Sequence, residues 1–159
     1  MKVYENNAPA DLDEIAQVEE QIGANLPKEY RAFLEHYNGG YPEPDRFRFH
    51  AKYMGNSFEN HPFGERAILD RFLGVYIGEF DNLKTYLKVY KGRIPSNMIP
   101  VAHDPGGNLV CLAIKGDDYG KVFYWRHDEE VEDGEIPDYK NIYYIADNFE
   151  QFTSSFEDP

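Results

Sequence analysis

The chain is poor in the residues and patterns that mark enzymes, secreted proteins and membrane proteins. It holds one cysteine, Cys111, so no internal disulfide can form. Because Cys111 lies in the apolar run Leu109 to Ile114, a buried thiol is expected there, not a nucleophile. No run of about 18 apolar residues could span a bilayer, and the opening stretch MKVYENNAPADLDE has no apolar signal core, so a soluble cytoplasmic protein is expected. His36, His50, His61, His103 and His127 are never closer than 11 residues, whereas metal-binding pairs sit about three to five apart, so neither a metal site nor a cofactor is expected. Asp117-Asp118 has a glycine on either side but lacks the ligand series of a calcium loop. Asp104-Pro105-Gly106-Gly107-Asn108 joins two strand patterns and opens no helix, which makes it a turn and not a phosphate cradle. His103, Asp104 and His127 fall at strand ends where a general base could sit, yet no serine, threonine or available cysteine accompanies them in a nucleophile motif.

Bases are scarce as well. Sixteen Lys and Arg stand against 29 Asp and Glu, a formal charge of −13, and residues 101–159 alone hold 14 acids and 4 bases. Such a surface repels a phosphate backbone and attracts a basic protein, so direct nucleic-acid binding is not expected. The run Asp128 to Asp138, DEEVEDGEIPD, concentrates seven carboxylates without a base and is expected to be an exposed, mobile loop.

What is abundant is aromatic: 13 Tyr and 11 Phe in 159 residues, a length suited to one domain. Asp11 and Glu14 form a capping box for a helix with Leu12, Ile15, Val18 and Ile22 inward, ended by Gly23. Pro27 opens a second helix whose stripe is Tyr30, Phe33, Leu34 and Tyr37, and Asn38-Gly39-Gly40 stops it. Arg46 to His50 alternates as a strand, Ala51 to Glu65 reads as a long loop, and Phe72 to Ile77 reads as a strand. Asp81 caps a third helix with Leu83, Tyr86, Leu87 and Tyr90 inward. Met98 to Ala102, Leu109 to Ile114 and Lys121 to Arg126 are strands whose short connections require antiparallel neighbours. Ile142 to Ile145 is a last strand, and Asp147 caps a final helix with Phe149, Phe152 and Phe156. The expectation is a single α+β domain: a mostly antiparallel sheet of about five to six strands with about four helices, two N-terminal, one central and one C-terminal.

Several of these segments resemble one family in order. Glu19-Glu20-Gln21-Ile22-Gly23, Leu26-Pro27, Tyr30, Phe33-Leu34 and Asn38-Gly39-Gly40 look like the opening of the SUKH superfamily in its Smi/Knr-like branch. Ile99-Pro100-Val101-Ala102, the Asp104 to Asn108 turn, Gly120-Lys121-Val122-Phe123-Tyr124-Trp125 and Ile145 to Phe152 resemble its later strands, its hairpin and its closing helix. The similarity runs from Leu12 to Phe156 and rests on fold signatures, none of them catalytic.

The resemblance implies a non-catalytic binding protein. Bacterial members are immunity proteins that neutralise toxins passed between neighbouring cells, often nucleases or deaminases, while fungal relatives are hubs in cell-wall regulation. A cognate, basic toxin is therefore the implied partner, with a regulatory scaffold as the alternative and a hydrolase using His103, Asp104 and His127 behind both. Partner contacts are expected at Tyr41, Glu43 and Asp45, in the Ala51 to Glu65 loop, at Asp117 and Asp118, and along the acidic run at Asp128, Glu129, Glu130, Glu132, Asp133 and Glu135.

Overall fold

The computed structural model describes residues 1–52 and 64–159. In chain order its elements are β1 (Lys2–Tyr4), α1 (Leu12–Ile22), α2 (Lys28–His36), β2 (Tyr41–Glu43), β3 (Arg46–Lys52), β4 (Glu65–Ile68), β5 (Arg71–Phe72), α3 (Leu83–Val89), β6 (Met98–His103), β7 (Leu109–Ala113), β8 (Val122–Trp125), a 3-10 turn (His127–Glu129), β9 (Ile142–Ala146) and α4 (Phe149–Ser154). The class is α+β as expected, but the sheet is larger. Seven antiparallel strands run in the order β4-β3-β9-β8-β7-β6-β5, and β1 and β2 form a separate ribbon.

The helix ends follow local chemistry. At α1, Glu14 N–H donates to Asp11 Oδ1 at 2.8 Å and Asp11 N–H donates to Glu14 Oε2 at 3.0 Å, while Gly23 closes the helix in the left-handed region at φ 66°. Ile15 and Val18 are buried and Ile22 is half-buried, but Leu12, expected inward, is 73% exposed. Pro27 serves as the cap residue of α2, one place earlier than expected, and Tyr30, Phe33 and Leu34 are buried behind it. In α3 and α4 the cap is Asn82 and Asn148, not the preceding aspartate. Each aspartate has another partner: Asp81 faces His103 and Arg71, and Asp147 accepts the hydroxyl of the nearby Tyr144.

The apolar run from Phe72, expected as a strand to Ile77, loses its strand pairing early: Phe72 pairs with Ala102, Leu73 N–H donates to Val101 O at 2.9 Å and Gly74 bridges Asn82. Beyond it, Asn38 stands in for a strand: its Oδ1 accepts Val75 N–H and its Nδ2 donates to Val75 O, both at 2.7 Å, and to Ala8 O. Gly40, at φ 103°, is where the chain passes β1 so closely that a Cβ would lie 2.5 Å from Tyr4 O. The Ala51 to Glu65 loop falls mostly outside the described residues; Ala51 and Lys52 belong to β3, and Glu65 opens β4.

One face of the sheet carries the main core. Phe47, Phe49, Val101, Val110, Leu112, Val122 and Tyr124 pack there with Ile15, Val18, Tyr30, Phe33, Leu34, Phe149 and Phe152 of the helices. The opposite face is more thinly covered: Cys111, Phe123, Trp125 and Ile142 lie with Ile94, Met98 and Leu109 under Tyr86 and Tyr90. Trp125 is fully buried, and its indole N–H finds no acceptor among the described residues.

Candidate functional site

The acidic segment connects β8 to β9, and its base is tied down. Arg126 N–H donates to Asn141 O at 3.1 Å, and the buried Asn141 side chain returns a bond to Arg126 O at 2.9 Å. Two of the carboxylates face inward. Glu129 accepts the Tyr143 hydroxyl at 3.0 Å and pairs with Arg126, while Glu130 takes Arg93 through both oxygens, at 2.9 and 3.2 Å. Arg93 in turn stacks over Tyr90 and Trp125. The run expected as an exposed, mobile loop thus has two of its seven carboxylates held, by two arginines that offset their charge and a phenol that donates a hydrogen bond.

The remaining carboxylates of Asp128, Glu132, Asp133, Glu135 and Asp138 point to solvent. Among them stands Ile136, 89% exposed. Sequence reasoning counted the charges of this run and passed over its one bare aliphatic; the signal was an isoleucine between Glu135 and Pro137, where no period buries it.

The other expected contact residues are not gathered here. Tyr41 and Glu43 lie in the β1–β2 ribbon, where Tyr41 stacks on Tyr4 with ring centroids 5.6 Å apart and Arg71 covers its ring. Asp45 follows that ribbon, and its carbonyl accepts Leu69 N–H. Asp117 and Asp118 sit in the β7–β8 turn, at the end of β8 opposite the acidic segment, and Asp118 pairs with Lys121 at 2.9 Å. The expected contact residues among the described ones thus belong to three segments of the fold.

His103, Asp104 and His127 lie around the β6–β7 turn, where His127 N–H donates to Asn108 Oδ1 at 3.0 Å, and each has partners outside a catalytic arrangement. His103 Nε2 lies 2.7 Å from Asp81 Oδ1, and its ring stacks on Tyr86. Asp104 accepts from Gly106 N–H, Asn108 N–H, Asn108 Nδ2 and the Tyr124 hydroxyl. Burial works to raise its carboxyl pKa, but these donors outweigh burial and hold it below the usual carboxylate range. Burial first, and then the bond to Asp104, pushes the Tyr124 phenol up. His127 turns to Asp128, 3.3 Å away. Burial likewise raises the Cys111 thiol far above its ordinary value, which leaves it in the unreactive protonated form. Among the described residues no group of three or more His, Cys, Asp or Glu side chains is arranged to hold a metal ion, and no helix is long and apolar enough to cross a membrane.

Comparison with known proteins bears on the whole chain. The model of the SMI1 / KNR4 family (SUKH-1) matches residues 9–155. A relative from Bacillus subtilis (strain 168), named "SPbeta prophage-derived uncharacterized protein YokK", is 30% identical over 152 residues, covering 92% of this chain and 74% of its own length.

Proposed function

We propose that this chain, which belongs to the SMI1 / KNR4 family (SUKH-1), is an immunity protein that binds a basic toxin domain and blocks it without turnover. The observation that carries this reading is the β8–β9 segment: five exposed acidic residues and an exposed Ile136 share one segment whose base is fixed by Arg93 and Tyr143. Outward charge on a fixed base favours encounter with a basic partner, and a bare aliphatic in the same segment supplies the short-range contact that charge alone lacks. The four donors that engage Asp104, and the pairing of His103 with Asp81, support binding over hydrolysis. The full partner surface, its residues and the toxin's chemistry belong to the proposal.

The test uses the basic C-terminal domain of a secreted protein encoded in the adjacent reading frame as the probe. Purified chain should bind that domain and suppress its activity, and Ile136→Ala should raise the dissociation rate about tenfold while leaving association almost unchanged. Absence of binding, or an enzymatic turnover that disappears in His103→Ala, would overturn the reading.

A further inference from the structure

The stretch from Gly74 to Tyr90 builds a second exposed surface of different character. Its loop is clamped: Asn82 Nδ2 donates to Tyr76 O at 2.7 Å and to Gly78 O at 3.0 Å, Gly74 N–H donates to Asp81 O, and Leu83 N–H donates to Gly74 O. From this fixed frame Ile77 projects fully into solvent and Phe80 is 80% exposed, while Val89 on α3 is 54% exposed. Large apolar side chains held outward on a fixed loop mark a contact surface.

The charges around it fall on two sides. On the loop itself Glu79 is exposed between Ile77 and Phe80, and before it Arg71 is shared between Glu5 and Asp81, with Asp70 beside His103. On the helix side Lys88 and Lys91 are exposed and Lys84 donates to Gln17, and no acid occurs between Asn82 and Pro100. A basic toxin would meet these lysines with like charge, so this surface does not suit the partner proposed above. A second copy suits it.

We propose that the Ile77–Phe80 loop and the outer side of α3 join two copies of this chain about a two-fold axis. In such a contact the same patch faces itself reversed, so the acidic side of each copy meets the lysine side of the other around an apolar centre. The formal charge of −13 opposes self-association elsewhere, and most strongly through the C-terminal third; this is the stretch where acids give way to bases. The proposal is independent of the immunity reading, since its apolar contacts, Ile77 and Phe80, lie outside the acidic segment and it needs no toxin.

Sedimentation velocity on the full chain over a dilution series is the test. The parent should pass from monomer to dimer as concentration rises through the micromolar range. Ile77→Ser combined with Phe80→Ser should raise the dimer Kd at least about tenfold with an unchanged thermal melt, since both side chains are exposed. Glu79→Lys and Lys88→Glu should each weaken the dimer, and the two together in one chain should restore it, because the exchange preserves complementarity across the axis. A parent that stays monomeric up to about millimolar concentration, or a dimer indifferent to both sets of changes, would overturn the proposal.

Discussion

The acidic β8–β9 segment and the loop-and-helix stretch from Gly74 to Arg93 touch through one ion pair, Arg93 with Glu130, yet they are built on opposite plans. The first holds seven carboxylates and a single bare aliphatic; the second has two bare large side chains on its loop and, past Asn82, only bases. A strongly acidic chain therefore does not offer one uniform surface. Charge suited to long-range encounter is gathered at one place, and apolar anchors with balanced charge at another. Both lean on the same floor, because Tyr90 meets Trp125 edge-on at 5.8 Å and Arg93 lies over the same indole.

Removing that floor gives the largest effect. Trp125→Ala should cost about 3 to 5 kcal/mol and disturb both surfaces together, read by chemical denaturation. Trp125→Phe should cost less than about 2 kcal/mol, since it keeps much of the packing and deletes an indole N–H that has no acceptor among the described residues. A loss below about 1 kcal/mol in the alanine variant would contradict the burial on which the comparison rests.

Cutting the link separates the two regions. Arg93→Ala should lower stability by about 0 to 1 kcal/mol, because the pair is half-exposed. Amide exchange should nonetheless quicken from Glu130 to Glu135 and stay unchanged in β8 and β9. Uniform protection across the segment in the variant would mean that Arg93 does not fix its base.

A smaller, pH-dependent effect belongs to Asp104, whose turn lies beside the start of the acidic segment. Its folded carboxyl is held below the ordinary value of 3.8, so the ionised form is favoured by folding. That contribution is complete above the ordinary value and is lost as pH falls below it through the depressed folded value. The stability difference between the parent and Asp104→Asn should stay level above about pH 5 and shrink below about pH 4. A difference that does not change with pH would show that the bonds from Tyr124, Asn108 and Gly106 do not favour the carboxylate.

Much of the fold was legible because it is written in neighbouring residues. The Asp11–Glu14 box, the Asn38-Gly39-Gly40 stop and the short connections among β6, β7 and β8 need no distant partner. The misreadings arose where a distant group decides between local options. Asp81 and Asn82 can both cap a helix, and only His103 and Arg71, far along the chain or across the sheet, assign the cap to Asn82. The end of β5 was hidden because a single side chain, Asn38, satisfies Val75 in place of a strand. β1 and β2 are three residues each, too short for alternation to register. At the candidate site the charge was legible and its distribution was not. Which carboxylates turn inward depends on Arg93 and Tyr143, neither of which announces a partner in sequence.

The most direct test of the central claim, that the outward carboxylates steer a basic partner, is the association rate across a salt series. Asp128, Glu132, Asp133 and Glu135 would be reversed to lysine, leaving Glu129 and Glu130 on their internal partners. With the basic toxin domain as probe, the variant should associate about ten or more times more slowly than the parent at low salt. The gap should nearly close at about 0.5 M salt, where screening acts within a few ångströms. Equal association rates at low ionic strength would contradict the account and leave the acidic segment as a solvated connection between β8 and β9.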